Sequence, residues 1–299
     1  MDAQRRLLAD GRWHYQHGPI DIVIGADGDD AAALASAHEA AWQRFRGVLA
    51  ELVAELPLLR SAVAGECRLQ GGIARRMWQA CAPYAAGFIT PMAAVAGAVA
   101  QELIGSYERA GIRRAWVNNG GDIALHISPG AALRVGLVAD LARLHAEAAA
   151  LRTDADFSVH AALPVRGVAT SGWRGRSFSL GIADSVTVLA RTAAEADAAA
   201  TVIANAVNVD DPRIARRPAC ELADDSDLGA RLVTVDVPRL EAGLVHLALQ
   251  AGRARAHELR AAGLIWSAML VCQDRFIGLG EPAMGEASAP CSIPAWSLG

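Results

Sequence analysis

Lysine is absent from this chain of 299 residues, in which all 28 basic residues are arginines. Without a lysine amine, Schiff-base catalysis, a Ser-Lys dyad and the phosphate-binding lysine of a Walker-type loop are excluded. A phosphate bound here must be neutralised by arginine, backbone N–H groups, a helix N-terminus or a metal ion.

Cysteine and long apolar runs are also scarce. The five cysteines form no CxxC pair and their number is odd, which disfavours a zinc site or a disulfide framework. The apolar run around Met92–Val99 is too short to span a bilayer, and the N-terminus has no signal-peptide pattern. A net charge of −4 argues against nucleic acid or an anionic membrane as a partner. We therefore expect a cytoplasmic protein.

The remaining composition predicts a folded core, because 53% of the residues are hydrophobic and only 20% are charged. Hairpin-like strand pairs occur between separate helical segments, which favours an α+β fold of mixed or antiparallel sheets packed with helices. We predict one domain over residues 1–277, with two closely packed halves as an alternative, and a loosely packed tail over 278–299. Residues 77–86 are compatible with a strand or an irregular segment. Leu264–Val271 is predicted as a final strand.

The segment Asn118-Asn119-Gly120-Gly121-Asp122 lies between two predicted strands. Paired glycines permit positive φ angles and bring backbone N–H groups close to a ligand, but Asn-Gly is also a strong signal for a plain hairpin turn. Both interpretations stay open. Strand periodicity places Asp122 and His126 on one face. A carboxylate that orients an imidazole is one interpretation, and a half-exposed polar surface is the simpler one.

The run Thr170-Ser171-Gly172-Trp173-Arg174-Gly-Arg176 combines hydroxyls, a glycine, an aromatic ring and two guanidinium groups. Arginine forks match phosphate oxygens, and an indole can stack on a ring, so the run suits a nucleotide diphosphate. An ordinary polar loop is the alternative.

Asp197 and Thr201 are four residues apart in a predicted helix that begins with the capping-box pattern Thr192-Ala-Ala-Glu195. The spacing places both oxygens on one face of the helix. A carboxylate and a hydroxyl suit Mg²⁺. An exposed Asp beside a Thr bonded to its own helix is the alternative.

Taken together and in this order, these segments resemble the ApbE-like superfamily, whose best-known members are FAD:protein FMN transferases. The matching stretches, which span about the middle third of the chain, are Val95-Ala-Gly-Ala-Val-Ala-Gln101, Val117-Asn-Asn-Gly-Gly-Asp-Ile123, Ala169-Thr-Ser-Gly172, Val186-Thr-Val188 and Ala196-Asp-Ala-Ala-Ala-Thr201. Each motif is weak alone, but four in the right order are specific, where the strand Val186–Val188 and the helix that follows it count as one motif.

The resemblance implies an Mg²⁺ site made by Asp197, Thr201 and the carbonyl of Val95. It also implies FAD contacts from the glycine turn and from the Thr-Ser-Gly loop, that is from Asn118, Gly120, Gly121, Asp122, Thr170, Ser171 and Gly172. Arg174 and Arg176 would offset the diphosphate charge. The implied reaction is attack of a target-protein Thr or Ser hydroxyl on the FMN phosphate of FAD, with release of AMP. A flavoprotein acceptor would then be the protein partner.

Three departures from the family pattern bear on activity. Ala96 stands where the family has a lysine, Gln101 stands where it has an aspartate, and the segment Trp173–Asp184 lacks the family's His-Ile-x-Asp-Pro stretch. No general base is evident. The sequence therefore predicts either an Mg²⁺-dependent flavin transferase or FAD-cleaving enzyme, or a flavin carrier that has lost the transferase residues.

Overall fold

The computed structural model describes residues 2–137 and 155–280. Helices and largely antiparallel sheets alternate there, which confirms the α+β prediction. The strands are β1 (Gln4–Leu7), β2 (Trp13–His17), β3 (Ile20–Gly28), β4 (Ile112–Asn119), β5 (Asp122–Ile127), β6 (Ala132–Leu137), β7 (Ala155–His160), β8 (Gly167–Ser171), β9 (Ser185–Ala190), β10 (Ala215–Pro218), β11 (Leu232–Asp236), β12 (Ser267–Cys272) and β13 (Arg275–Leu279). The helices are α1 (Ala31–Ala54), α2 (Leu56–Leu59), α3 (Gly72–Cys81), α4 (Val95–Ile104), α5 (Ala193–Ala206) and α6 (Ala242–Ala261).

The chain divides into two compact units, and the first comprises Met1–Ala132, His160–Ala169 and Leu189–Ala199. Its strands follow the order β1-β2-β3-β4-β5-β8, and each pair of neighbours is antiparallel. Helices α1 and α4 pack against these strands. Their shared core contains the fully buried side chains of Ile22, Ile24, Phe45 and Leu103, and α3 packs on α4 with Met77 fully buried.

Helix α1 shows how the sequence sets these contacts. Asp30 caps its N-terminus, since one carboxylate oxygen accepts the N–H groups of Ala32 and Ala33 at 2.8 and 3.0 Å. Its buried residues recur every three or four positions, at Ala37, Ala41, Phe45, Val48 and Leu52. This spacing produces one apolar stripe along the helix, which faces the sheet.

The second unit comprises Leu133–Val159, Thr170–Val188 and Ala200–Gly299. In its described part, β12 and β13 form a hairpin whose turn residues Gln273 and Asp274 have positive φ angles of 45° and 64°. Helix α6 packs on this hairpin, and β9 lies beside β12. Two further strand pairs, β6-β7 and β10-β11, complete the described sheets of this unit.

Several sequence predictions need correction. Residues 77–86 are neither strand nor irregular, because α3 reaches Cys81 and a 3₁₀ turn follows over Ala82–Tyr84. The strand predicted at Leu264–Val271 is β12, but it is not the last one, since β13 follows it. Ahead of α4, Pro91–Ala94 forms a 3₁₀ turn. Most of the predicted tail, residues 281–299, lies outside the described residues.

Within residues 2–137 and 155–280, no helix combines the length and the apolar character that a membrane crossing requires.

Candidate functional site

The glycine turn of the first unit is a tight hairpin. Asn119 and Asp122 pair across β4 and β5, so Gly120 and Gly121 form a two-residue connection with φ angles of 66° and 111°. The side-chain oxygen of Asn118 accepts the N–H of Gly121 at 2.8 Å. The hairpin interpretation is thus confirmed, and glycine is needed because both positions have left-handed backbone.

The sequence predicts a half-exposed polar face at Asp122. This prediction is wrong, because Asp122 is only 8% exposed. His126 does not pair with it. The His126 ring lies 3.3 Å from the carbonyl of Ile112 and 3.4 Å from the hydroxyl of Ser128. The carboxylate of Asp122 instead acts electrostatically on Asp197.

Asn119 is a residue of this site that the sequence analysis missed. It is 7% exposed, and its amide donates to the carbonyl of Ala96 at 3.1 Å. This bond ties the hairpin to the first turn of α4. The partner lies 23 positions away in sequence, so only its place beside Asn118 could have drawn attention to it.

Asp197 binds the same turn of α4 as a hydrogen-bond acceptor, whereas Asn119 binds it as a donor. Its carboxylate accepts the N–H of Gly97 at 2.9 Å and also the N–H of Ala96. These are N–H groups at a helix N-terminus, which have no partner within their own helix. A Cβ on Gly97 would lie 2.3 Å from the carbonyl oxygen of Ala193 and 2.9 Å from the Cβ of Asp197. Glycine at position 97 therefore permits this approach.

The surroundings of Asp197 disfavour its charged form. Burial raises the pKa of Asp197 well above its ordinary value, the Asp122 carboxylate raises it further, and the two backbone N–H groups only partly oppose them. Burial and the charge of Asp197 also raise the pKa of the Cys81 thiol. Among the described residues, no arginine pairs with Asp197. We call Asp122, Asp197 and the Val95–Gly97 turn the carboxylate cluster.

The donor chemistry of the carboxylate cluster fits a hard divalent cation. Two carboxylates lie close enough to oppose each other's ionisation, and a cation or a proton relieves that repulsion. Thr201 lies four residues after Asp197 on α5, and Val95 is the first residue of α4. These are oxygen donors of the kind Mg²⁺ prefers. No group of three or more His, Cys, Asp or Glu side chains suited to a metal occurs among the described residues.

The second unit contains the loop that begins at Thr170, which we call the hydroxyl–arginine loop (Thr170–Arg176). Thr170 and Ser171 end β8, and the hydroxyl of Thr170 lies 2.9 Å from that of Thr187. A Cβ on Gly172 would lie 2.4 Å from the carbonyl oxygen of Asp184. The loop is thus packed closely on the segment that leads into β9.

Asp184 holds the next part of this loop and was also missed as a site residue. It is 9% exposed, and it accepts the indole N–H of Trp173 at 3.3 Å and the backbone N–H of Gln273 at 2.5 Å. The guanidinium of Arg174 lies 3.5 Å from the same carboxylate and 5.0 Å from the centre of the Trp173 ring. Arg176 is exposed. The structure therefore orients Trp173 and Arg174 through one buried carboxylate.

Curated relatives of this chain are UPF0280 proteins of methanogenic archaea. The protein of Methanopyrus kandleri is 35% identical over 211 residues, which are 69% of this chain and 78% of that protein. The protein of Methanothermobacter thermautotrophicus is 41% identical over 138 residues, or 46% and 50% of the two chains. That of Methanospirillum hungatei is 38% identical over 133 residues, or 44% and 50%. This chain thus spans about half the length of the latter two relatives.

Among solved structures, the apo form of the flavinyl transferase ApbE of Pseudomonas stutzeri matches 95% of this chain and 97% of its own, with 13% identity and a TM-score of 0.47. The family described as AbpE bacteria matches residues 5–284. The chain therefore belongs to the AbpE bacteria family, which confirms the ApbE-like resemblance found in the sequence.

Proposed function

We propose that this protein binds FAD together with Mg²⁺ and breaks its diphosphate, so that the FMN part passes to a hydroxyl of an acceptor protein or to water. The observation that supports this best is the carboxylate cluster, in which Asp197 lies near a second carboxylate and, within residues 2–137 and 155–280, pairs with no arginine. Family membership supplies the reaction class, because the superfamily's best-known members are FMN transferases.

In this proposal Asp197 and Thr201 hold the cation, with Val95 offering its carbonyl oxygen and Asp122 adding negative charge nearby. The bound cation would neutralise charge that builds up on the phosphate oxygens. Asn119 and Gly97 keep the α4 turn in register with Asp197. Their part is to hold the donors in place before the ligand arrives.

The hydroxyl–arginine loop carries groups that suit a nucleotide. The hydroxyls of Thr170 and Ser171 donate to phosphate or ring acceptors, Arg174 and Arg176 offset negative charge, and Trp173 supplies an aromatic face. The glycine turn carries polar and backbone groups of the same use, from Asn118, Gly120 and Gly121.

The reaction balances as follows. The acceptor hydroxyl oxygen bonds to the phosphorus of the FMN phosphate, the bond from that phosphorus to the AMP phosphate oxygen breaks, and the hydroxyl proton leaves to solvent. Transfer yields an FMN ester on the acceptor and AMP. If water replaces the acceptor hydroxyl, the products are FMN and AMP.

The test is a thermal-shift titration with FAD, FMN and AMP, with and without Mg²⁺, followed by chromatography of the FAD sample. FAD with Mg²⁺ should raise the melting temperature, because a ligand that binds only the folded state stabilises it. AMP should then accumulate. Asp197→Asn should abolish the effect of Mg²⁺, whereas Glu195→Gln, a matched change on the same helix, should retain it. A wild-type protein that responds to no flavin refutes the proposal.

A non-catalytic flavin carrier is the second candidate. Ala96 supports it, since this neutral residue occupies the position of the family's lysine and lies in the α4 turn that binds Asp197. A carrier shows the same FAD-dependent shift and returns the FAD intact. Release of AMP therefore separates the two functions.

A further inference from the structure

The inference concerns the side-chain amide of Asn119, the last residue of β4. The residue is only 7% exposed, and its Nδ2 donates to the carbonyl of Ala96 at 3.1 Å. A backbone carbonyl can only accept a hydrogen bond, so the nitrogen of this amide must face Ala96. The orientation of the amide is therefore fixed, and the oxygen Oδ1 points away from that carbonyl.

The oxygen of the Asn119 amide has no donor. Within residues 2–137 and 155–280, the bond to Ala96 is the one hydrogen bond of this side chain. An acceptor that is largely shielded from water and receives no bond costs free energy, and a ligand that brings positive charge removes that cost. The bond to Ala96 thus explains the nitrogen of this side chain and leaves its oxygen unexplained.

The groups around this oxygen are other oxygens. Asn119 and Asp122 are directly opposite each other across the hairpin, so their side chains extend from the same face of the sheet. Asp197 binds the same residue as Asn119, since it accepts the N–H of Ala96 and Asn119 donates to the carbonyl of Ala96. One residue of α4 therefore brings the amide close to the carboxylate cluster.

We propose that Oδ1 of Asn119 is a further oxygen donor to the cation of the carboxylate cluster. Hard divalent cations take amide oxygens as well as carboxylates. An amide adds a donor without a third negative charge beside two carboxylates that already oppose each other's ionisation. This inference rests on the proposed function, because it takes the cluster to hold a cation.

The first test follows the side-chain amide of Asn119 by nitrogen-15 NMR while the full chain is titrated with Mg²⁺ alone. The chain has four asparagines, and the side-chain signal that Asn119→Asp removes belongs to Asn119. A cation at Oδ1 draws electron density from the amide, so this signal should shift until the site is saturated. Asn208, whose amide donates to the carbonyl of Leu180, is the control, and its signal should not move.

A second test separates the oxygen of Asn119 from its nitrogen, by calorimetric titration with Mg²⁺. Asn119→Leu removes both atoms and should weaken Mg²⁺ binding about tenfold. Asn119→Asp loses the donor to Ala96 but keeps an oxygen, so it should bind Mg²⁺ within about twofold of the wild type or more tightly. Asn119→Ala replaces Asn119→Leu if the latter does not fold, and the NMR shift is measured on the wild type in any case.

Three results would overturn the inference. One is an Asn119 signal that stays fixed while Mg²⁺ raises the melting temperature of the wild type and not that of Asp197→Asn. Another is equal weakening of Mg²⁺ binding in Asn119→Leu and Asn119→Asp, which would limit Asn119 to holding α4. Both leave the proposed function intact. The third is a wild type that does not respond to Mg²⁺ without a nucleotide, and titration with FAD and Mg²⁺ together then decides the proposed function separately.

Discussion

Two carboxylates of the first unit, Glu102 and Asp197, lie in surroundings that shift their pKa values in opposite directions. Glu102, near the end of α4, accepts hydrogen bonds from Arg44 at 2.7 Å and Arg76 at 2.8 Å. Burial acts to raise the pKa of Glu102, but these two arginines outweigh it and the pKa falls below its ordinary value. Asp197 binds the start of the same helix, and its pKa is raised by burial and by Asp122.

Under the proposed function, this difference separates a structural carboxylate from one that is available to a cation. The chain has 28 arginines, and two of them serve Glu102, yet none of the described ones reaches Asp197. A carboxylate satisfied by arginine adds stability and has little capacity left for a ligand. A carboxylate held only by backbone N–H groups beside a second carboxylate retains affinity for a cation.

The largest expected effect comes from removing the close approach at Gly97. In Gly97→Ala the new Cβ would lie 2.3 Å from the carbonyl oxygen of Ala193, so α4 and α5 must separate. We expect a loss of about 2–3 kcal/mol in the free energy of unfolding, measured with guanidinium chloride. This variant tests the difference between the two carboxylates, because it disturbs the position of Asp197 and leaves the arginines that bind Glu102 in place.

Gly47→Ala is the matched control for this experiment. It lies inside α1, where a Cβ meets nothing closer than 3.9 Å, and we expect a gain of about 0.5–1 kcal/mol. A Gly97→Ala protein as stable as the wild type would show that the two helices are not packed as described.

Neutralising each carboxylate should change stability in opposite directions. Glu102→Gln loses two ion pairs and should destabilise the protein by about 1 kcal/mol at pH 7. Asp197→Asn still accepts the N–H of Gly97 and relieves the repulsion by Asp122, so the metal-free protein should gain up to about 1 kcal/mol. Denaturant unfolding in the presence of a chelator measures both. Losses of equal size in the two variants would mean that both carboxylates stabilise the fold in the same way.

The stability that Glu102 provides should depend on pH in a defined direction. Because its pKa is lower in the folded state than its unfolded value of about 4.3, its contribution is complete above that value. The contribution is lost as the pH falls through the folded-state pKa. The difference in unfolding free energy between wild type and Glu102→Gln should therefore be constant near pH 6–7 and vanish in strong acid. A difference that grows toward acid would mean that the arginines do not stabilise Glu102.

The smallest effect is expected at Thr192, whose hydroxyl accepts the N–H of Glu195 at 3.2 Å and so caps α5. Thr192→Ala should cost about 0.5–1 kcal/mol and leave the Mg²⁺ response of Asp197 unchanged. Calorimetric melting with and without Mg²⁺ checks both parts. Loss of the response would mean that the cap, and not the carboxylate cluster alone, sets the position of Asp197.

Local features of the fold were predictable from sequence, and distant ones were not. The glycine turn and α5 depend on neighbouring residues, namely Gly120, Gly121 and the Thr192 cap. Helix α3 was missed because Gly71 at its start has no capping side chain. Glu55 of the α1–α2 junction accepts the N–H of Gly71 instead, from 16 positions away. Strand β1 was missed because all its residues are exposed and show no alternation.

The candidate site follows the same rule. The pair Asp197 and Thr201 was predictable from helical spacing, and the motif order indicated the family. The contact of Asp197 with Gly97 joins residues 100 positions apart, and Asn119 reaches Ala96 across 23. Asp184 had no motif to mark it, since its role depends on contacts with Trp173 and Gln273 from two separate segments.

The bond from Gly97 to Asp197 has a consequence for the history of such proteins. A hydrogen-bond acceptor that caps a helix is under selection for folding even after its chemistry is lost. A descendant that no longer used a cation would be penalised for an apolar residue at position 197 but not for asparagine, which keeps the acceptor and removes the repulsion by Asp122. Replacement of this aspartate by asparagine among relatives is therefore the change that should mark members without a cation.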